Sequence, residues 1–90
     1  MNAVEEETFS VLQEECAEVI VAVSKIFRFG LDGKKPETNQ TNIQHLEEEL
    51  GDLICIVEIL EAQGLISAAN VREAVKNKQE KLKKWTNILK

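Results

Sequence analysis

Two groups of acidic residues carry the chemistry legible in this chain. The first is Glu14-Glu15-Cys16-Ala17-Glu18, and the second, after residues 19–48, is Glu49-Leu50-Gly51-Asp52. At about 100° per residue, a helix places Thr8, Val11, Glu15, Glu18, Ala22, Lys25 and Phe29 on one row. Glu15 then sits at the edge of an apolar stripe, with Glu18 one turn on and Glu14 turned toward solvent. Glu49 and Asp52 share a side with Leu46, Leu53 and Ile56, whereas Glu47 and Glu48 point elsewhere, as solvated surface. Ionised carboxylates are costly to bury without a partner. If the two helices pack face to face, Glu15, Glu18, Glu49 and Asp52 converge and repel. Mg²⁺ or Mn²⁺ resolves that repulsion, because hard cations take oxygen ligands, and such sites commonly serve phosphoryl chemistry.

Three helices and no strands position these acids. The first spans about Ala3 to Phe29, on Val11, Val19, Ala22 and Ile26, and Gly30 ends it. Gly33 and Pro36 keep the next segment out of helix, so Leu31 to Gln40 reads as a polar loop. The second starts near Thr41, where Thr41-Asn42-Ile43-Gln44 forms a capping box, and runs to Gln63 before Gly64. The third follows Ser67 as N-cap and continues to the C-terminus. Gly51 inside the second helix costs about 1 kcal/mol against Ala, which implies close approach of another backbone or room for a ligand.

The apolar stripe of the second helix is wide: Leu46, Leu50, Leu53, Val57 and Leu60, flanked by Ile54, Ile56 and Ile59. One short neighbour does not need so much. The expected architecture is therefore all-α: one domain over residues 1–90, a three-helix chain that assembles an antiparallel four-helix-type bundle with a second copy.

With their spacing, the acids resemble the signature of the MazG-like all-α nucleoside triphosphate pyrophosphohydrolases, EExxE followed by ExxD on the next helix. Glu14, Glu15 and Glu18 stand in the first part, Glu49 and Asp52 in the second. The likeness covers Glu14 to Leu60 and extends more weakly into the lysine-rich last helix. The gap between the two parts is at or beyond the long end for the family, and the loop after Gly30 absorbs it. Lys25…Arg28-Phe29-Gly30, Thr41-Asn42 and the compact length are most similar to small single-domain members from phages and bacteria.

The resemblance implies hydrolysis of an NTP or dNTP between the α and β phosphates, giving a monophosphate and pyrophosphate. By position, Glu15, Glu18, Glu49 and Asp52 would hold Mg²⁺, with Mn²⁺ a possible substitute. Glu14 would be a second-metal ligand or would help orient the attacking water, so Glu14 and Glu15 are the catalytic candidates. It also implies a homodimer or homotetramer. The base and sugar preferred, and the number of cations per site, stay open.

Candidate substrate contacts carry two readings each. Lys25, on the carboxylate row, could meet a β or γ phosphate, as could Arg28 a turn further; both also suit a helix C-terminus. On the seam Val71, Val75, Lys78, Leu82, Trp85 and Leu89, Lys78 is the lone charge. It faces inward either to bind phosphate or to snorkel, with Lys81 its nearest rival. Asn42 reads as a helix cap that can also reach the pocket. Phe29 is the best candidate for base stacking, although Phe9, Phe27, Phe29 and Trp85 all read first as core. His45 reads as a surface or rim residue. The ExxH pattern of di-iron bundles is missing, because Asn42 stands three positions before His45.

Composition narrows the alternatives. A net charge of -5 argues against nucleic acid as the main partner, although the charged residues from Arg72 onward are mostly Lys and Arg. The two cysteines, Cys16 and Cys55, lie among apolar residues and read as buried reduced thiols, which suits the cytoplasm of a bacterial cell or phage-infected host. No secretory leader opens the chain and no run is long enough for a membrane span. No Ser/His/Asp or Cys/His set offers a nucleophile, so water is the attacking group. The competing function is a non-catalytic dimeric helical interaction module that uses its basic C-terminal helix. A degenerate family member that binds nucleotide without cleaving it is a third reading.

Overall fold

The structure, a computed structural model, describes residues 1–89 as three helices: α1 (Ala3–Phe29), α2 (Asn42–Ala62) and α3 (Ala68–Trp85). Two compact units divide the chain, Met1–Ile59 and the remainder from Leu60 onward. No helix among the described residues is long and apolar enough to cross a membrane.

In the first unit, a capping box starts α1. The Asn2 side chain accepts from the Glu5 backbone N–H at 2.8 Å, and the Asn2 N–H donates to the Glu5 carboxylate at 2.9 Å. Gly30 ends α1 at φ 87, its N–H donating to the Ile26 carbonyl. Thr41 and Gln44 make the box expected at the start of α2. The Thr41 N–H donates to the Gln44 side chain and the Gln44 N–H to the Thr41 hydroxyl.

Between the helices, the loop turns back on itself. Lys34 bridges Thr41, the Lys35 N–H donates to the Gln40 carbonyl, and the Asn42 and Ile43 N–H groups donate to the Gly33 and Leu31 carbonyls. Gly33 is there for room. A Cβ would lie 2.6 Å from the Phe29 carbonyl oxygen and 2.7 Å from Asn42 Nδ2, the first of them immovable backbone. This junction reverses the chain, so α2 runs antiparallel to α1.

Burial follows the carboxylate row. Thr8 and Ala22 are buried on α1, and Val11, Glu15 and Lys25 on the same row are half-buried. On α2, Asn42, His45 and Leu60 are buried. Large apolar side chains stay uncovered elsewhere, among them Ile20, Phe27, Leu50 and Ile54. A pair of helices can shield only the stripe along which they meet.

That geometry overturns several expectations. Cys16 and Cys55 are exposed, because both point away from the α1–α2 seam. Phe27, Phe29 and Trp85 are exposed at 86%, 62% and 74%, so of the aromatics expected in the core only Phe9 is even half-buried.

In the second unit, Ser67 caps α3 by accepting from the Asn70 N–H. The helix stops at Trp85 rather than continuing to the C-terminus. Thr86 adopts extended backbone, and both its N–H and its hydroxyl donate to the Leu82 carbonyl, at 3.0 and 2.6 Å. A β-branched hydroxyl that takes up a helix-end carbonyl competes with another helical turn. Lys90, part of the expected helix, lies outside the described residues. No residue of α3 is buried, and Lys78, expected to face inward, is exposed along with Lys81.

An added Cβ at Gly51 meets nothing within 4 Å. The backbone approach expected there is not made by the chain itself, and the space is open. Gly51→Ala should therefore stabilise α2 by about 1 kcal/mol and raise Tm by about 4–8 °C in a thermal melt followed by circular dichroism. A lower Tm would mean that another molecule occupies that space in solution.

Candidate metal centre

Antiparallel pairing brings the two acidic groups to one level of the first unit. One ligand oxygen each from Glu15, Glu49 and Asp52 lie within 4.8 Å of one another. Glu15 and Glu49 are half-buried and Asp52 is exposed, so the cluster opens to solvent on one side. Glu18 and Glu14 lie outside this grouping and are exposed, yet both charges reach Glu15.

Glu15 is the focus of the unfavourable electrostatics. Its Oε2 is buried and has no hydrogen-bond partner. Desolvation, followed by repulsion from Asp52, Glu49, Glu18 and Glu14, pushes its carboxyl above the ordinary 4.5. An orphaned buried carboxylate oxygen facing two further carboxylates is the donor set that a hard divalent cation takes. Glu15, Glu49 and Asp52 therefore fit Mg²⁺ or Mn²⁺, with waters or phosphate oxygens left to complete the shell.

His45 has a different place from the one its surroundings in sequence suggest. It is buried, and its Nε2 lies 3.1 Å from Glu49 Oε1, one helical turn away. An ionised carboxylate only accepts, so the ring N–H donates and fixes which way Glu49 points. The signal was present in sequence as a His four residues before a site acid. Spacing alone did not reveal that the face carrying both is covered.

The remaining candidates separate. Lys25, Phe29 and Asn42 line one cleft of about 410 Å³, together with Lys34, Lys35 and Pro36. Asn42 also serves as a cap, though of α1 rather than α2: its Nδ2 donates to the Gly30 carbonyl at 2.9 Å and more weakly toward the Lys25 carbonyl at 3.5 Å. Arg28 lies over the Phe29 ring, 5.0 Å from its centroid, and does not line the cleft. Lys34 and Lys35 escaped the sequence reading because a loop has no periodicity from which to read direction.

Glu15 binds its proton more tightly in the folded than in the unfolded chain. Its contribution to stability is full below the ordinary 4.5 and is lost as pH rises through the raised folded value. At pH 7 without metal, Glu15→Gln should therefore melt above wild type, with the gap closing as pH falls toward 4.5. Mn²⁺ should raise the Tm of wild type more than that of the variant. Equal melting of both at pH 7 would remove the strain assigned to Glu15. His45→Ala should weaken Mn²⁺ binding, measured by calorimetry without nucleotide, by about 10- to 100-fold. His45→Gln, which keeps a donor for Glu49, should recover much of it, whereas a merely structural role would show only in the melt.

Comparison with known proteins bears directly on these acids. No curated protein and no solved structure matches the chain. The model of the MazG nucleotide pyrophosphohydrolase domain matches residues 4–86, a span that includes all of Glu14, Glu15, Glu18, Glu49 and Asp52. With nearly its whole length matched and its carboxylates gathered between antiparallel helices, the chain belongs to the MazG nucleotide pyrophosphohydrolase family.

Proposed function

We propose that the protein hydrolyses a nucleoside triphosphate, most naturally a dNTP, between the α and β phosphates, using Mg²⁺ or Mn²⁺. The observation that carries this reading is the juxtaposition of Glu15, Glu49 and Asp52 within a chain of this family. When bound, the divalent cation supplies positive charge that offsets carboxylate–triphosphate repulsion and polarises the phosphoryl group.

The chain's own residues divide the remaining work. Glu15, Glu49 and Asp52 would hold the cation, with Glu18, one turn along the row from Glu15, as a fourth ligand. Glu14, exposed beside Glu15, would orient water or hold a second cation. Water oxygen bonds to the α-phosphorus as the bond to the α,β-bridging oxygen breaks. Pyrophosphate leaves with that electron pair, and the water proton passes to a carboxylate. On the substrate side, Lys25, Phe29 and Asn42 share a cleft at the α1–α2 junction, with Arg28 beside Phe29. Lys78 and Lys81 of α3 are further phosphate candidates.

A homodimer or homotetramer built as a four-helix-type bundle belongs to the same proposal. Its support is the uncovered apolar surface at Ile20, Phe27, Leu50 and Ile54.

The test is a pyrophosphate-release assay over NTPs and dNTPs with Mg²⁺, Mn²⁺ or EDTA, identifying the nucleotide product. Metal-dependent monophosphate and pyrophosphate are expected. Glu18→Ala and Asp52→Ala should abolish turnover while circular dichroism stays helical. Silence across the panel from folded protein would transfer the assignment to the non-catalytic module, and turnover near wild type in either variant would sink the carboxylate mechanism.

A further inference from the structure

The cleft at the α1–α2 junction gathers positive charge that the chain itself leaves unmatched. Lys25 approaches from the last turns of α1, and Lys34 and Lys35 come from the loop. Among the described residues the ion pairs within 4.0 Å are His45–Glu49 and Lys83–Glu80, so none of the three cleft lysines has a carboxylate partner. That is notable in a chain with 16 acidic residues and a net charge of -5. Acids are near enough in sequence to have served, Asp32 and Glu37 among them, yet neither is paired with a cleft lysine.

The lysines sit on a fixed frame. The Lys35–Thr38 turn places Pro36 and then Glu37 at its centre, Glu37 at φ 67, and closes through the Thr38 N–H to the Lys35 carbonyl at 3.2 Å. Pairing of Lys34 with Thr41 and the tight approach of Gly33 to Phe29 and Asn42 hold the other end. Ammonium groups only donate, so the cleft suits a ligand rich in acceptor oxygens. Phe29, Pro36 and the lysine stems line the cleft with apolar surface, while the ammonium groups supply charge-assisted hydrogen bonds. Glu49 lies seven positions after Asn42 on α2, about 10 Å along the axis. An extended triphosphate together with a lysine stem spans that distance.

We infer that Lys34 and Lys35, with Lys25, form a binding site for the distal phosphates of the substrate and for the pyrophosphate that leaves. The inference rests on the proposed reaction for its substrate, but the anion site itself does not. A loop-borne site fits the charge it must meet: negative charge grows on the pyrophosphate side as the anhydride bond breaks, and preplaced ammonium groups stabilise it.

The probe is inorganic tripolyphosphate, titrated without metal by calorimetry into wild type, the Lys34→Gln/Lys35→Gln variant and, as a charge-matched control, Lys83→Gln/Lys84→Gln. Loss of two charge-assisted contacts should weaken binding by at least about tenfold in the loop variant and leave the control near wild type. The loop variant should also show a raised KM for nucleotide with unchanged Mn²⁺ affinity and an unchanged helical spectrum. Equal weakening in both variants, or none in the loop variant, overturns the inference. Wild-type turnover with an unmoved KM in the loop variant overturns it while the proposed reaction stands. Tripolyphosphate binding that needs Lys34 and Lys35, in a protein that releases no pyrophosphate from any nucleotide, upholds the anion site and removes the reaction instead.

Discussion

Repulsion at one level of the α1–α2 seam is the constraint on which this structure turns. Glu15 is held with a buried, unsatisfied oxygen opposite Glu49 and Asp52. Apolar packing along the seam must hold that arrangement against desolvation and like-charge repulsion, both of which push the Glu15 carboxyl upward. A site of this kind is unfavourable as a resting state and becomes favourable when a cation arrives. In the proposed reaction that stored repulsion would supply the affinity for metal, and the core around it stays thin because the same face cannot also be filled with apolar side chains.

Two polar contacts give that seam its definition. His45 donates to Glu49 from a buried position and limits the directions in which that carboxylate can turn. The Asn42 amide reaches back to the carbonyl end of α1, so a single side chain ties the start of one helix to the end of the other. Gly33 permits this contact by leaving out a Cβ that would strike the Phe29 carbonyl. Register between the two helices, and with it the distance between Glu15 and Asp52, depends on this small junction. The cationic cleft is built on the same junction, so the elements that align the acids also place the lysines.

Uncovered apolar residues mark the limit of what the α1–α2 pair can bury. Ile20 and Phe27 lie on α1, Leu50 and Ile54 on α2, and Gly51 beside them faces open space. Two helices bury a stripe, not a cylinder, and a domain of this size has little surface to spare. The exposure of Cys16 and Cys55 follows from the same geometry, since hydrophobic neighbours in sequence do not guarantee hydrophobic neighbours in space.

Sequence alone determined the three helices, because period, caps and glycine stops are local. Thr41 with Gln44, Ser67, Gly30 and Gly64 each act within a few residues of themselves. It also determined which acids could meet, since carboxylate spacing on a helix fixes the face. Tertiary structure decided the rest. Whether His45 is rim or interior depends on what lies across from it, and α2 cannot specify that from its own residues. The direction of Lys34 and Lys35 depends on loop closure by backbone bonds between residues such as Gly33 and Asn42, which leave no periodic trace. Local rules name the elements and the faces; burial, charge coupling and closure arise only when two faces are brought together.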